Sequence, residues 1–338
     1  MTHHSSRPYV WMLCGSFSFT LMAELAFELN HISKRCDWQT IAVFRAGLVA
    51  VFAAVMAKVA GAKLVFWPWR LWVRSVAGSL SMVCTFYTFA KLPSSSDVVT
   101  LTNTFPIWVA LLSWPLYRKA PGAKMWLAIL MGITGVVLVE QPHLEAGNLG
   151  VYAALAAALF TAVAMLGLHS LVGIDPRAIV VHFSAVATVV CGVAWAVGPK
   201  TQPVSNAFEV GVLWKLFGLG VTATIGQIFL TLAFRGGAPA KVSVVGLSQI
   251  VFALAFDAWL WNRSVNSIAL VGTALVIAPT AWLLLQPKPG KTAPGLGVPL
   301  DDSLSRDPES AEGGAAFAHS GVALPSADSG SRLNGARS

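Results

Sequence analysis

The sequence predicts an all-α integral membrane protein: ten transmembrane helices arranged as two inverted five-helix repeats. Three observations carry that expectation. Of the 338 residues, 56% are hydrophobic and only 11% charged, against roughly 25% charged in soluble domains. Apolar runs approaching the ~20 residues that cross the hydrocarbon as a helix recur from Tyr9 to Leu285. Finally, a shift of the chain by 143 residues lays one half on the other.

The first span, 9–29, has no small-residue cleavage site after it and is followed by further apolar runs, so it reads as a retained helix. Polar and turn residues then delimit the rest: 40–60 ends at Gly61-Ala62-Lys63, and 71–92 lies between Arg70 and Pro93. Span 97–117 follows Ser94-Ser95-Ser96 and stops at Arg118-Lys119. Span 124–139 is short, which calls for extension or local thinning of the bilayer. The second half supplies 150–172, 178–198, 212–234, 241–261 and 267–285. The expected organisation is a short cytoplasmic N-terminus (1–8), a first repeat (9–142), a second repeat (150–286) and a cytoplasmic tail (287–338). That tail is rich in Pro, Gly, Ser and Ala, cannot bury a core and is expected to be disordered.

The net charge of +8 does not indicate nucleic acid, because the basic residues flank the apolar runs and form no basic stripe with interleaved aromatics. Placing the N-terminus inside puts thirteen Lys and Arg on the cytoplasmic side and six opposite. The positive-inside rule therefore predicts a multi-pass cell (plasma or inner) membrane protein with both termini cytoplasmic. Cys14, Cys36, Cys84 and Cys191 have no paired spacing, so neither a disulfide framework nor a metal site is expected.

Under the 143-residue shift, Phe86, Thr88, Ala90, Val99, Ala110 and Leu111 meet identical residues. The shift maps the third and fourth spans onto the eighth and ninth. Each half then holds an odd number of spans, so the halves are inverted, the arrangement of many secondary transporters with a midplane substrate site.

Arg74-Ser75-Val76-Ala77-Gly78, Phe86-Tyr87, Leu92-Pro93, Asp97 and the run from Pro106 to Ser113 resemble the third and fourth helices of EamA-type proteins of the drug/metabolite transporter superfamily. Phe44-Arg45 resembles that family's second-helix arginine motif. The resemblance implies ten helices in two inverted repeats and export or uptake of metabolites or drugs. The chain departs from the family at the end of the fourth span, where Tyr117-Arg118-Lys119 stands in place of a Gly-Glu pair.

Ionisable groups within spans cost ~2.5–3.5 kcal/mol at a helix centre, so they point to function. Glu24 and Arg45 lie at similar depth on antiparallel helices and are expected to pair, as a substrate or proton site or as a structural ion pair. Arg45 also belongs to the resemblance. Asn103, Gln227 and Gln249 offer neutral hydrogen-bonding groups at mid-depth, or interhelical glue worth ~0.6 kcal/mol per contact. Pro106, aligned with Gln249, removes a backbone hydrogen bond and can open a carbonyl to a cavity. Secondary candidates are Arg74 (a span-end residue able to snorkel), Tyr87, Asp97 (a first-turn acid on the helix dipole), His182 (an isolated histidine) and Asp257 (an interfacial acid). Glu28 is expected to be solvated.

These features predict an alternating-access secondary transporter for a small polar metabolite or drug-like compound, with export favoured. No cofactor, metal or nucleic acid is expected; the partners are a small-molecule substrate and the lipid bilayer, and self-association stays open. An intramembrane enzyme lacks H-E-x-x-H or G-x-S-x-G here. A sensor or scaffold lacks a folded output domain, and no filter motif indicates a channel.

Overall fold

The computed structural model describes residues 6–92, 95–118, 121–141, 148–260 and 266–285. The expected tail, 287–338, lies outside them. Among the described residues the regular structure is entirely helical. In the first half, α1 spans Arg7–Phe27 and continues as a π-turn through Ile32; α2 spans Trp38–Val59, α3 Trp69–Lys91, α4 Ser95–Thr102, α5 Phe105–Tyr117 and α6 Ala123–Glu140. The second half contains α7 (Leu149–His169), α8 (Pro176–Val197), α9 (Val210–Gly236), α10 (Pro239–Gly246), α11 (Ser248–Leu260) and α12 (Ser267–Leu285). Since α4–α5 and α10–α11 are each one interrupted span, the twelve segments make ten crossings, five per half.

Local chemistry sets several of these boundaries. Proline opens α1, α5, α8 and α10, where its missing N–H is not needed and its fixed φ suits a first turn. Asn148 and Asp175 cap α7 and α8, their side chains accepting from the amides of Gly150 and Arg177. Arg118 (φ 52°) and Gln141 (φ 47°) stop α5 and α6 in the left-handed region.

Nine described stretches are long and apolar enough to cross a membrane. The tenth crossing is α3, long enough at 23 residues but diluted by Arg74, Ser75, Ser79 and Ser81, all buried. Large side chains such as Phe17, Val51, Val55, Leu130 and Val193 face outward, as a lipid-facing surface requires. The interior is built of small residues instead: Ala154, Ala157, Ala158 and Ala162 on α7, and Ala42, Ala46, Ala53 and Ala57 on α2, are all buried. Without water to drive helices together, close backbone approach is what holds them.

The packing repeats the sequence symmetry. Helix α3 lies along α7, and its repeat counterpart α9 lies along α1, the counterpart of α7. Helix α2 packs on its own counterpart α8, and α6 on α12. Exchanging the halves therefore reproduces the same helix pairings. At the α6–α12 crossing, a Cβ on Gly135 would sit 2.6 Å from the Gly272 carbonyl oxygen, and a Cβ on Gly272 2.6 Å from that of Gly135. The two interruptions also correspond: the break at Asn103–Thr104 falls on Gly246–Leu247 under the same 143-residue shift.

At the end of the bundle where α1 finishes, polar links join the halves. Lys215 Nζ lies 2.6 Å from Glu28 Oε1, and Arg35 Nη1 lies 3.1 Å from Glu209 Oε1. The Asp37 carboxylate accepts from the amides of Thr201 and Gln202 at 2.9 and 3.0 Å. Glu28 is thus ion-paired, where solvation was expected, because the π-turn ending α1 brings it against the first turns of α9.

Candidate functional site

Both interrupted spans end on a cavity of about 580 Å³. The break in α4–α5 follows from Pro106, whose ring cannot donate to the Thr102 carbonyl four residues earlier. The chain turns through Asn103 and Thr104 and restarts at Phe105, with Pro106 in the first turn. Thr102, Asn103 and Phe105 line the cavity, as do Gly246 and Gln249 across the matching break. The N-termini of α5 and α11 and the C-termini of α4 and α10 therefore meet there, bringing helix-dipole ends of both signs to one site.

Helix α3 contributes a stripe. Arg74, Gly78, Ser81, Met82 and Thr85 all line the cavity, at the three- and four-residue spacings that place side chains on one helix face. The Ser81 hydroxyl donates to the Ala157 carbonyl at 3.0 Å and lies 2.6 Å from the Thr161 hydroxyl, tying the stripe to α7.

Two cations reach this space. The Arg74 side chain folds forward over Gly78, where a Cβ would collide with its Nη1 and with the Phe183 ring. Only 1% of Arg74 is exposed. Its Cζ stands 4.1 Å from the centre of the Phe183 ring, and Nη2 donates to Gln227 Oε1 at 3.4 Å, a long hydrogen bond. Its Nε and Nη1 have no hydrogen-bond partner among the described residues. Arg45, from α2, sets Nη1 2.6 Å from Met82 Sδ and also leaves Nε without a partner. Gly78 and Met82 are one helical turn apart, so the two places where a guanidinium meets α3 are separated by ~6 Å along its axis.

Of the residues nominated from sequence, Glu24, Arg45, Asn103, Gln227, Gln249 and Arg74 meet at the cavity. The expected Glu24–Arg45 pair is not among the described ion pairs, which are Arg35–Glu209, Arg177–Asp175 and Lys215–Glu28. Arg45 turns toward Met82. Arg74 does not snorkel, because Gly78 and Gly167 open room for it between α3, α7 and α8. Asn103 ties its amide nitrogen back to the Val99 carbonyl at 2.8 Å.

Pro106 is buried but stands outside the lining, acting through the break it imposes. Tyr87 is away from the cavity, edge-on to Trp38, with the Lys91 ammonium 5.8 Å above its ring. His182 is buried behind Arg74, its Nδ1 2.8 Å from the Ser75 hydroxyl and its ring edge-on to Trp72. The side chains of Asp97 and Asp257 lie outside the described residues. Sequence reasoning missed Ser81, Thr85, Thr161, Thr20 and Thr102, which also line the cavity. The stripe from Arg74 to Thr85 was the signal that would have found the first two. Among the described residues, no group of three or more His, Cys, Asp or Glu is placed to hold a metal.

Residues 7–140 match the EamA-like transporter family. The chain is 29% identical over 274 residues to the pseudopaline exporter CntI of Pseudomonas aeruginosa, covering 78% of this chain and 90% of that one. It is 24% identical to an uncharacterized transporter of Helicobacter pylori, over 62% of this chain and 70% of that one. Human solute carrier family 35 member G1 is also 24% identical, over 61% of this chain and 59% of its own. A solved crystal structure with 15% identity superposes with a TM-score of 0.65 over 79% of this chain and 95% of that one, which supports the fold.

Proposed function

We propose that this chain, an EamA-type protein of the drug/metabolite transporter superfamily, is a secondary active transporter that exports a small polar metabolite by alternating access. One observation carries the reading: two symmetry-related broken spans end on one cavity that holds Arg45, Arg74, Gln227 and Gln249. Membrane transport itself is the activity of the family and of the named relatives. The cavity lies between the halves, so rocking one half against the other would expose it to each side in turn. Interrupted helices suit this work, because their freed carbonyls and dipole ends face the substrate rather than lipid. A solute or proton gradient would drive the cycle.

Export is favoured by the relative named as an exporter. The distribution of Lys and Arg supports cytoplasmic termini in the cell membrane. With that orientation, the Glu28–Lys215 and Arg35–Glu209 links lie at the outer end.

The test compares metabolites inside and outside cells that lack the protein, overproduce it or carry Arg45→Gln. Export predicts that one compound class leaves the cell with the wild type and stays inside with the variant. No redistribution with verified, membrane-inserted wild-type protein would sink the reading.

A further inference from the structure

We propose that the transported compound is an organic carboxylate, and that Arg74 is the residue that holds its carboxylate group. This rests on the transport reading above. Arg74 is almost wholly buried, lines the cavity and, among the described residues, leaves Nε and Nη1 without partners. A buried charge is retained only where something compensates it. None of the described ion pairs involves Arg74. The Gln227 hydrogen bond at 3.4 Å and the Phe183 ring face are modest substitutes.

The guanidinium presents a planar fork of donors, which a carboxylate or phosphate oxygen pair fits in two parallel bonds. Gly78 gives that fork its seat, since a Cβ there would strike Nη1. Arg45 offers a second cation one helical turn along α3, again with Nε unused. Its partner there, the Met82 sulfur, is a weak acceptor that a ligand oxygen would outcompete.

The remaining surroundings select among anions. Phe19, Phe86, Met22 and Met165 make much of the lining apolar. Such a wall accepts a singly charged carboxylate on a hydrocarbon frame better than a strongly hydrated phosphate. Arg74 is the more deeply buried of the two cations, Arg45 being only partly so, which places the carboxylate at Arg74.

The experiment measures the melting temperature of the purified full-length protein in detergent. The probe is the fraction of host-cell extract retained on an anion exchanger, used untreated, after methyl esterification and after phosphatase treatment. The untreated and phosphatase-treated fractions should stabilise the wild type, and the esterified fraction should not. Arg74→Gln should need roughly 10- to 100-fold more of the untreated fraction for the same shift, from the loss of charge-assisted hydrogen bonds. Arg74→Lys should fall between the two. Equal stabilisation by the esterified fraction, loss of the effect on phosphatase treatment, an unchanged Arg74→Gln response or no stabilisation at all would overturn the proposal. The esterification arm needs no variant, so a misfolded substitution does not block the test. Parallel identification of the compounds that wild-type cells redistribute separates the two readings. Movement of compounds without a carboxylate leaves transport standing and removes this substrate class, whereas movement of nothing removes both.

Discussion

Replacing Arg74 with methionine should stabilise the ligand-free protein. Among the described residues the guanidinium makes two favourable interactions for the substitution to remove. One is the hydrogen bond to Gln227 at 3.4 Å, at the long end of the useful range and worth less than about 1 kcal/mol. The other is the Phe183 ring face 4.1 Å from Cζ, worth about 1–2 kcal/mol in a desolvated setting. Against these stands the cost of burying a charge that none of the described ion pairs compensates, several kcal/mol per ion. Methionine is of similar length, keeps the apolar packing and adapts to irregular space. The balance favours the variant by about 1–2 kcal/mol, since apolar replacement of buried charge is often neutral or stabilising by that order. Thermal unfolding of detergent-purified protein reads this as a rise of a few degrees in Tm, together with loss of transport. A drop of about 2 kcal/mol or more, larger than the ring interaction alone can supply, would refute the reasoning. It would mean that the arginine is compensated by the protein itself and serves the bundle rather than a ligand.

Three other outcomes follow from the packing. Gly135→Ala pushes a methyl group against the Gly272 carbonyl and Val276 and should cost ~1–3 kcal/mol, whereas Gly192→Ala, with nothing within 4 Å of its added Cβ, should be neutral or stabilising; thermal unfolding of the pair reads the difference. Lys215→Glu should weaken the closure at Glu28 by no more than about 1 kcal/mol, because the lysine side chain is 42% exposed, and combining it with Glu28→Lys should restore thermal stability. Burial, with Asp37 and Glu209 adding repulsion, pushes the Cys36 thiol up to about 11, so it stays protonated near neutral pH and maleimide labelling should be far slower there than for a free thiol, rising as the solution becomes strongly alkaline.

The ten crossings were legible because lipid demands long apolar helices, and each left a run between polar residues. The inversion was legible from the 143-residue spacing, which the packing of α3 on α7 and α9 on α1 repeats. Helix α3 was read as a crossing although the residues it turns toward the cavity dilute its apolar character. Depth along a helix was readable, and Glu24, Arg45, Asn103, Gln227 and Gln249 do line one cavity. Side-chain direction was not: Arg45 sets Nη1 against Met82 Sδ, a contact the sequence did not suggest. Arg74 was underrated for a related reason. Counting residues from the helix end suggested an interfacial position, but Gly78 and Gly167 let the side chain fold inward, and small neighbours on two helices are a tertiary fact. Ser81 and Thr161 looked like ordinary helix hydroxyls, and only their meeting across α3 and α7 marks them as cavity residues.

The central claim, that this cavity opens to each side of the membrane in turn, is tested most directly by thiol accessibility. Single cysteines at Ser81 and Gln249, in a chain with Cys14, Cys36, Cys84 and Cys191 replaced, would be reacted with a membrane-impermeant reagent in right-side-out and inverted vesicles. Alternating access predicts that both positions react from both sides, and that the acidic extract fraction slows both reactions. Labelling confined to one side under every condition, or absent from both, would contradict the account.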